Sequence, residues 1–93
     1  MKKAPEPHDP AAYDLADAAA VQALARGNAT PEQQQRAIRW IVGAAGTYDL
    51  SYRPDSARAT DFSEGKRWVG SQVVKLTNLD LSALKEKLRQ KPA

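Results

Sequence analysis

The residues able to do chemistry in this chain are few and poorly arranged for it. The only histidine, His8, sits between Pro7 and Asp9 in a proline-rich start, and the chain has no cysteine. A serine or cysteine nucleophile needs an imidazole held beside it by folded structure, and an extended arm supplies none. Asp61 and Glu64 form a carboxylate pair three residues apart. Near a helix start such a pair complements the positive end of the helix more readily than it does acid–base work or metal binding. Gly65-Lys66 ends like a phosphate-binding loop, but the upstream glycine and the Ser or Thr after the lysine are missing, and the dipeptide falls inside a helical pattern. The expectation is therefore no enzyme, no metal and no cofactor.

The elements that must position these side chains come from a small, alanine-rich chain. Ninety-three residues make one domain, and a chain this short buries only about 60–65% of the surface its unfolded form exposes. Much of the 42% apolar content is alanine, so the core is thin, and self-association or a partner is expected to complete it. The net charge of +3 hides an asymmetry. Residues 1–20 set Lys2 and Lys3 against Glu6, Asp9, Asp14 and Asp17, whereas residues 58–91 carry eight basic side chains against four acidic ones. A basic half suits an acidic protein partner or a nucleic-acid backbone; the plainer reading is a solvated helix face. The lack of cysteine excludes disulfides and fits a reducing cytoplasm. No apolar run approaches the roughly 18 residues of a membrane span. The Lys2-Lys3 start has no apolar segment behind it, so neither export nor membrane insertion is expected.

Residues 1–8, with Pro5 and Pro7, read as a flexible, solvated arm, and residues 9–90 as a single helical domain. Asp9-Pro10 reads as an N-cap and first helical position, opening a helix whose stripe is Leu15, Ala18, Ala19 and Leu24 and whose end is Gly27-Asn28. Thr30-Pro31-Glu32-Gln33 carries a capping box and predicts a second helix. Its apolar face is Ile38, Ile41, Val42 and Ala45, with Trp40 at the edge and Gly46 as terminator. Residues 47–59 read as an ordered loop that lays Tyr48, Leu50 and Tyr52 onto the helices, with a turn at Arg53-Pro54-Asp55. Thr60 is expected to cap a third helix with a buried stripe of Phe62, Val69, Val73 and Leu76. Gly65 and Gly70 lie inside that helix, each costing about 1 kcal/mol against alanine. Close approach of another backbone would account for them. Asp80 starts a short C-terminal helix bearing Leu81, Leu84 and Leu88. The fold expected is all-α: three main helices, a short fourth, and an aromatic loop.

Two kinds of binding surface are compatible with this layout. Trp40, Tyr48, Tyr52, Arg53 and Trp68 offer aromatic and arginine side chains of the sort that anchor protein interfaces, although a small domain also needs its aromatics inside. Trp68 is the most exposed in this reading, at about 100° round the helix from Val69. Arg58, Lys66, Arg67 and Lys75 offer a second, phosphate-facing surface. Against it, Lys66 and Arg67 are flanked by Asp61 and Glu64.

The block Arg39-Trp40-Ile41-Val42, the spacing Gly46-Thr47-Tyr48, and Phe62-x-Glu64-Gly65-x-Arg67-x-Val69-Gly70 with its aliphatic continuation resemble a family of small tailed-bacteriophage proteins. Genes of that family lie in the head-morphogenesis region, near portal, scaffold and capsid genes. The similarity covers about residues 31–80 and implies a setting rather than a mechanism. It implies a viral protein acting in the host cytoplasm during infection, or in the virion, that binds a phage structural protein or a host protein. Within it, Gly46, Phe62, Glu64, Gly65, Arg67 and Gly70 take helix-crossing or structural roles. The other reading is a nucleic-acid-binding accessory protein using the basic C-terminal half.

Overall fold

A computed structural model describes residues 6–90, and among them the protein is all-helical with no strand. The helices are α1 (Leu15–Arg26), α2 (Pro31–Ala44), α3 (Ala57–Thr77) and α4 (Leu81–Gln90). α2 is the centre of a small bundle, packing against α1 on one side and α3 on the other, while α4 lies against none of them. None of the described helices is long and apolar enough to cross a membrane.

Local capping chemistry fixes where each helix begins. At α2 the Thr30 hydroxyl accepts from Gln33 N at 3.1 Å and the Gln33 side chain accepts from Thr30 N at 3.0 Å. Both orphan amides are satisfied, and Pro31 has no N–H to lose. α1 begins later than Asp9-Pro10 suggests. Its cap is Asp14, which accepts from Asp17 N at 2.8 Å while Asp17 accepts from Asp14 N at 3.1 Å. This is a capping box built from two aspartates, and it displaces Asp9 because Asp9 is occupied in a turn, accepting from Glu6 N at 2.8 Å. α3 begins earlier than Thr60, at the Ser56 cap, whose hydroxyl accepts from Ala59 N at 3.1 Å.

Residues 1–5 of the expected arm lie outside the described residues. Residues 6–8 lie against α3: Pro7 is buried, its carbonyl accepts from Lys66 Nζ at 3.0 Å, and His8 meets the Phe62 ring edge-on at 6.2 Å.

The core is narrow and made of small side chains. Ala20 of α1 and Ala37 of α2 are fully buried, Val42 nearly so, and among the described residues no large side chain is completely enclosed. Alanine at both positions lets two helix backbones approach closely but contributes little area. The α1 stripe differs from the expected one, since Leu15 and Ala19 are exposed and Ala20 is inside. α3 differs in the same way. Ser63 and Gly70 are buried, Val73 is half-buried, and Phe62, Val69 and Leu76 face outward. The helix is rolled so that its smallest residues, not its largest, meet the body. The result is open in shape. The radius of gyration is 17.1 Å, against about 12 Å for a compact chain of this length.

Candidate protein-binding surface

The segment from Gly46 to Ser56 is held to the body at three places, and its aromatics point away from it. Gly46 ends α2 at φ +65°, a left-handed conformation that suits glycine. Thr47 follows, buried, its hydroxyl donating to Val42 O at 2.9 Å. Thr47 rests directly on Gly70. A Cβ built at Gly70 would lie 1.8 Å from Thr47 Oγ1 and 2.9 Å from Ala45 Cβ, so only glycine fits there. Arg67, one turn earlier on α3, donates from Nε to Thr47 O at 3.3 Å and has Glu64 beside it at 3.7 Å.

Ser51 is the second anchor, buried in the middle of the loop. The third is Thr60, whose hydroxyl accepts from Arg53 N at 2.8 Å. The Arg53 guanidinium folds back onto Leu50 O at 2.9 Å. The hydroxyl expected to cap α3 thus holds the end of the loop instead.

Burial does not alternate along this segment as the sequence pattern implies, since Asp49, between Tyr48 and Leu50, is exposed as they are. Thr47 and Ser51 are buried, while Tyr48, Leu50 and Tyr52 are 80%, 76% and 61% exposed. Gly70 accepts only a small, close-packed neighbour, and a hydroxyl that can bond backward to a helix carbonyl fits where a tyrosine ring does not. The expectation that the three large side chains lie on the helices is corrected accordingly.

The five residues expected at a protein interface fall in three places. Tyr48, Tyr52 and Arg53 share the loop. Trp68 is exposed on α3, but it precedes Gly70 by two residues, about 200° round the helix and so on the face away from the loop. Trp40, on α2, reaches toward α1: its indole N–H donates to Ala12 O, just before that helix, at 3.0 Å, and it lines a shallow apolar groove of about 230 Å³ with Tyr13, Asp17, Ala18, Val21 and Gln22. Tyr13, exposed on the rim of that groove, was not anticipated; its isolation from the other aromatics in sequence gave no signal.

The structural residues also divide. Gly70 is a true contact and Gly46 a true turn, but nothing lies within 4 Å of a Cβ at Gly65. No helix crosses at Gly65, and a crossing there is ruled out by geometry. Glu64 and Arg67 make an exposed i,i+3 pair, and Phe62 is half exposed beside His8. The basic residues do not gather either. Arg58, Lys66, Arg67 and Lys75 spread round α3 over most of its circumference at about 100° per residue. Lys66 and Arg67 are already hydrogen-bonded to backbone carbonyls.

The strongest electrostatic joint lies elsewhere, between α1 and α2. Arg36 Nε donates to Asp17 Oδ1 at 2.9 Å, and Nη2 donates to Asp14 at 3.0 and 3.1 Å. The Asp17 amide bonded to its oxygen holds the Asp14 carboxyl below its ordinary range, and the nearby Arg36 charge adds to that. The Asp17 hydrogen bond in turn raises the Arg36 guanidinium. This joint stitches the start of α1 to the middle of α2.

Comparison with protein-family models, curated proteins and solved structures finds no match to this chain.

Proposed function

We propose that this chain is a non-enzymatic protein-binding factor that recognises its partner through the pinned loop bearing Tyr48, Leu50 and Tyr52. One observation carries the reading: three large side chains stand in solvent on a backbone segment that is fastened at Gly70, Ser51 and Thr60. An unfastened loop would lose ordering entropy on binding; a fastened one has lost most of it already. Tyrosine adds large contact area with few rotatable bonds and a polar tip. The setting in a tailed phage, in particle assembly or on a host component, is supported by the motif resemblance over residues 31–80.

Tagged protein recovered from infected cells, with bound proteins identified by mass spectrometry, tests the proposal. A Tyr48→Ala/Tyr52→Ala variant is expected to lose the partner while its helical circular dichroism is unchanged. Retention of the same partner by that variant overturns the loop as the site. The nucleic-acid alternative is separated by salt: DNA affinity falling steeply between 50 and about 200 mM salt would replace the protein reading.

A further inference from the structure

The loop leaves the other uncovered apolar surface, on α3 and α4, without an occupant. α4 is a ten-residue amphipathic helix that packs on no other helix. Isolated helices shorter than about 12–15 residues are marginal in water, so α4 needs a surface from outside its own chain. Leu81, Leu84 and Leu88 lie within about 60° of arc on α4, as do Val69, Val73 and Leu76 on α3. Leu81 and Leu88 are exposed, as are Val69 and Leu76.

We propose that these two faces cover each other between two copies of the chain, paired antiparallel about a two-fold axis near residues 78–79. In that register Leu81 meets Leu76, Leu84 meets Val73, and Leu88 meets Val69 of the second copy. One register satisfies all three pairs, because each pair of numbers has the same sum. In the same register Lys85 faces Gln72, and Arg89 faces the exposed Trp68 ring as a cation–aromatic pair. The interface is isologous, so each copy contributes both faces and the assembly closes as a dimer.

The exposed area is sufficient for a second copy. The chain exposes 7793 Å², whereas a compact monomer of its mass exposes about 5,300 Å². The excess comfortably exceeds the roughly 800 Å² per partner that a stable interface removes.

Sedimentation equilibrium of the full chain from micromolar to millimolar concentration is expected to give twice the 10.1 kDa chain mass. Leu84→Asp is expected to weaken self-association at least about 30-fold; the body is untouched, because α4 contacts no other helix. The register is read separately by cysteines, which the natural chain lacks. Val73→Cys/Leu84→Cys is expected to form a covalent dimer on oxidation, and Leu84→Cys alone is not. A monomer at every concentration overturns the proposal. So does cross-linking of Leu84→Cys alone, which means α4 pairs with α4, or binding of the monomer to anionic vesicles through α4. Leu84→Asp leaves Tyr48 and Tyr52 intact, so loss of the dimer with the loop's partner retained separates this proposal from the preceding one.

Discussion

The two ends of this molecule solve the same problem, a shortage of large apolar side chains, in opposite ways. α1 and α2 bring alanine faces together, fasten their starts with two capping boxes, and tie them across with Arg36 between Asp14 and Asp17. Every part of that joint is supplied within residues 14–44. α3 and α4 do the reverse. They turn glycine and serine inward and keep Phe62, Val69, Leu76, Leu81 and Leu88 outside; α3 touches the body through α2, one loop and residues 6–8, and α4 touches no other helix. What the contrast teaches is that a helix turns inward the face its neighbour can accept, and the neighbour of α3 is a bent backbone rather than an apolar wall.

The largest expected effect breaks the loop's seat. Gly70→Ala places a methyl group where Thr47 Oγ1 already sits. Thr47 is β-branched and hydrogen-bonded to Val42 O, so it cannot rotate away without losing that bond. A net loss of about 1–3 kcal/mol is expected in urea or thermal unfolding. Gly65→Ala, five residues earlier in the same helix, meets open space. It is expected to stabilise by about 0.5–1 kcal/mol through helix propensity alone. Opposite signs for the two alanines would establish that one glycine is there for packing and the other is not; equal signs would refute the close approach.

Ser63 sharpens the same face. Its hydroxyl is buried with no hydrogen-bond partner among the described residues. Ser63→Ala is expected to leave stability unchanged or raise it by up to about 1 kcal/mol, because an unsatisfied donor is removed. A clear loss on thermal melting would reveal that the hydroxyl is bonded after all.

These residues also mark where the sequence was readable and where it was not. The all-helical class, the Thr30 capping box, the α2 face and Gly46 were legible because each depends on residues within one or two turns of one another. The roll of α3 was not. Periodicity ranks Phe62, Val69 and Leu76 as the natural inner stripe, and only a tertiary contact, Thr47 against Gly70, turns the helix the other way. Asp14 was missed as a cap because Asp9-Pro10 offers the stronger local pattern, and only the turn at residues 6–9 removes it from contention. Which aromatics share a surface was equally hidden, since Trp40 answers to Ala12 and Tyr13, distant in sequence.

The Arg36 joint carries a pH dependence. Asp14 titrates below its ordinary value of 3.8 in the fold. Its contribution to stability is therefore complete above that value and fades as pH falls through the lower, folded one. Arg36→Met is expected to lower the melting temperature at pH 7, with the gap to the parent narrowing as pH falls below 3.8. A difference that stayed constant across that interval would mean the guanidinium acts through its packing alone.

The smallest effect is expected at the α4 cap, and set beside the α2 cap it tests whether α4 is part of the cooperative unit. Thr30→Ala removes a bonded cap from α2, the helix on which α1 and α3 pack, and about 1 kcal/mol of global stability should go with it. Asp80 makes the same kind of bond at α4, accepting from Ala83 N at 3.1 Å. Since α4 rests on no other helix of its own chain, Asp80→Ala in dilute solution should lower helical ellipticity slightly and leave the main transition where it was. Hydrogen exchange reads the same distinction residue by residue: amides of α2 should exchange through global unfolding and those of α4 through local opening. If the two cap variants shifted the main transition equally, α4 would have to be coupled to the body within one chain, and the division between the two ends of the molecule would fall.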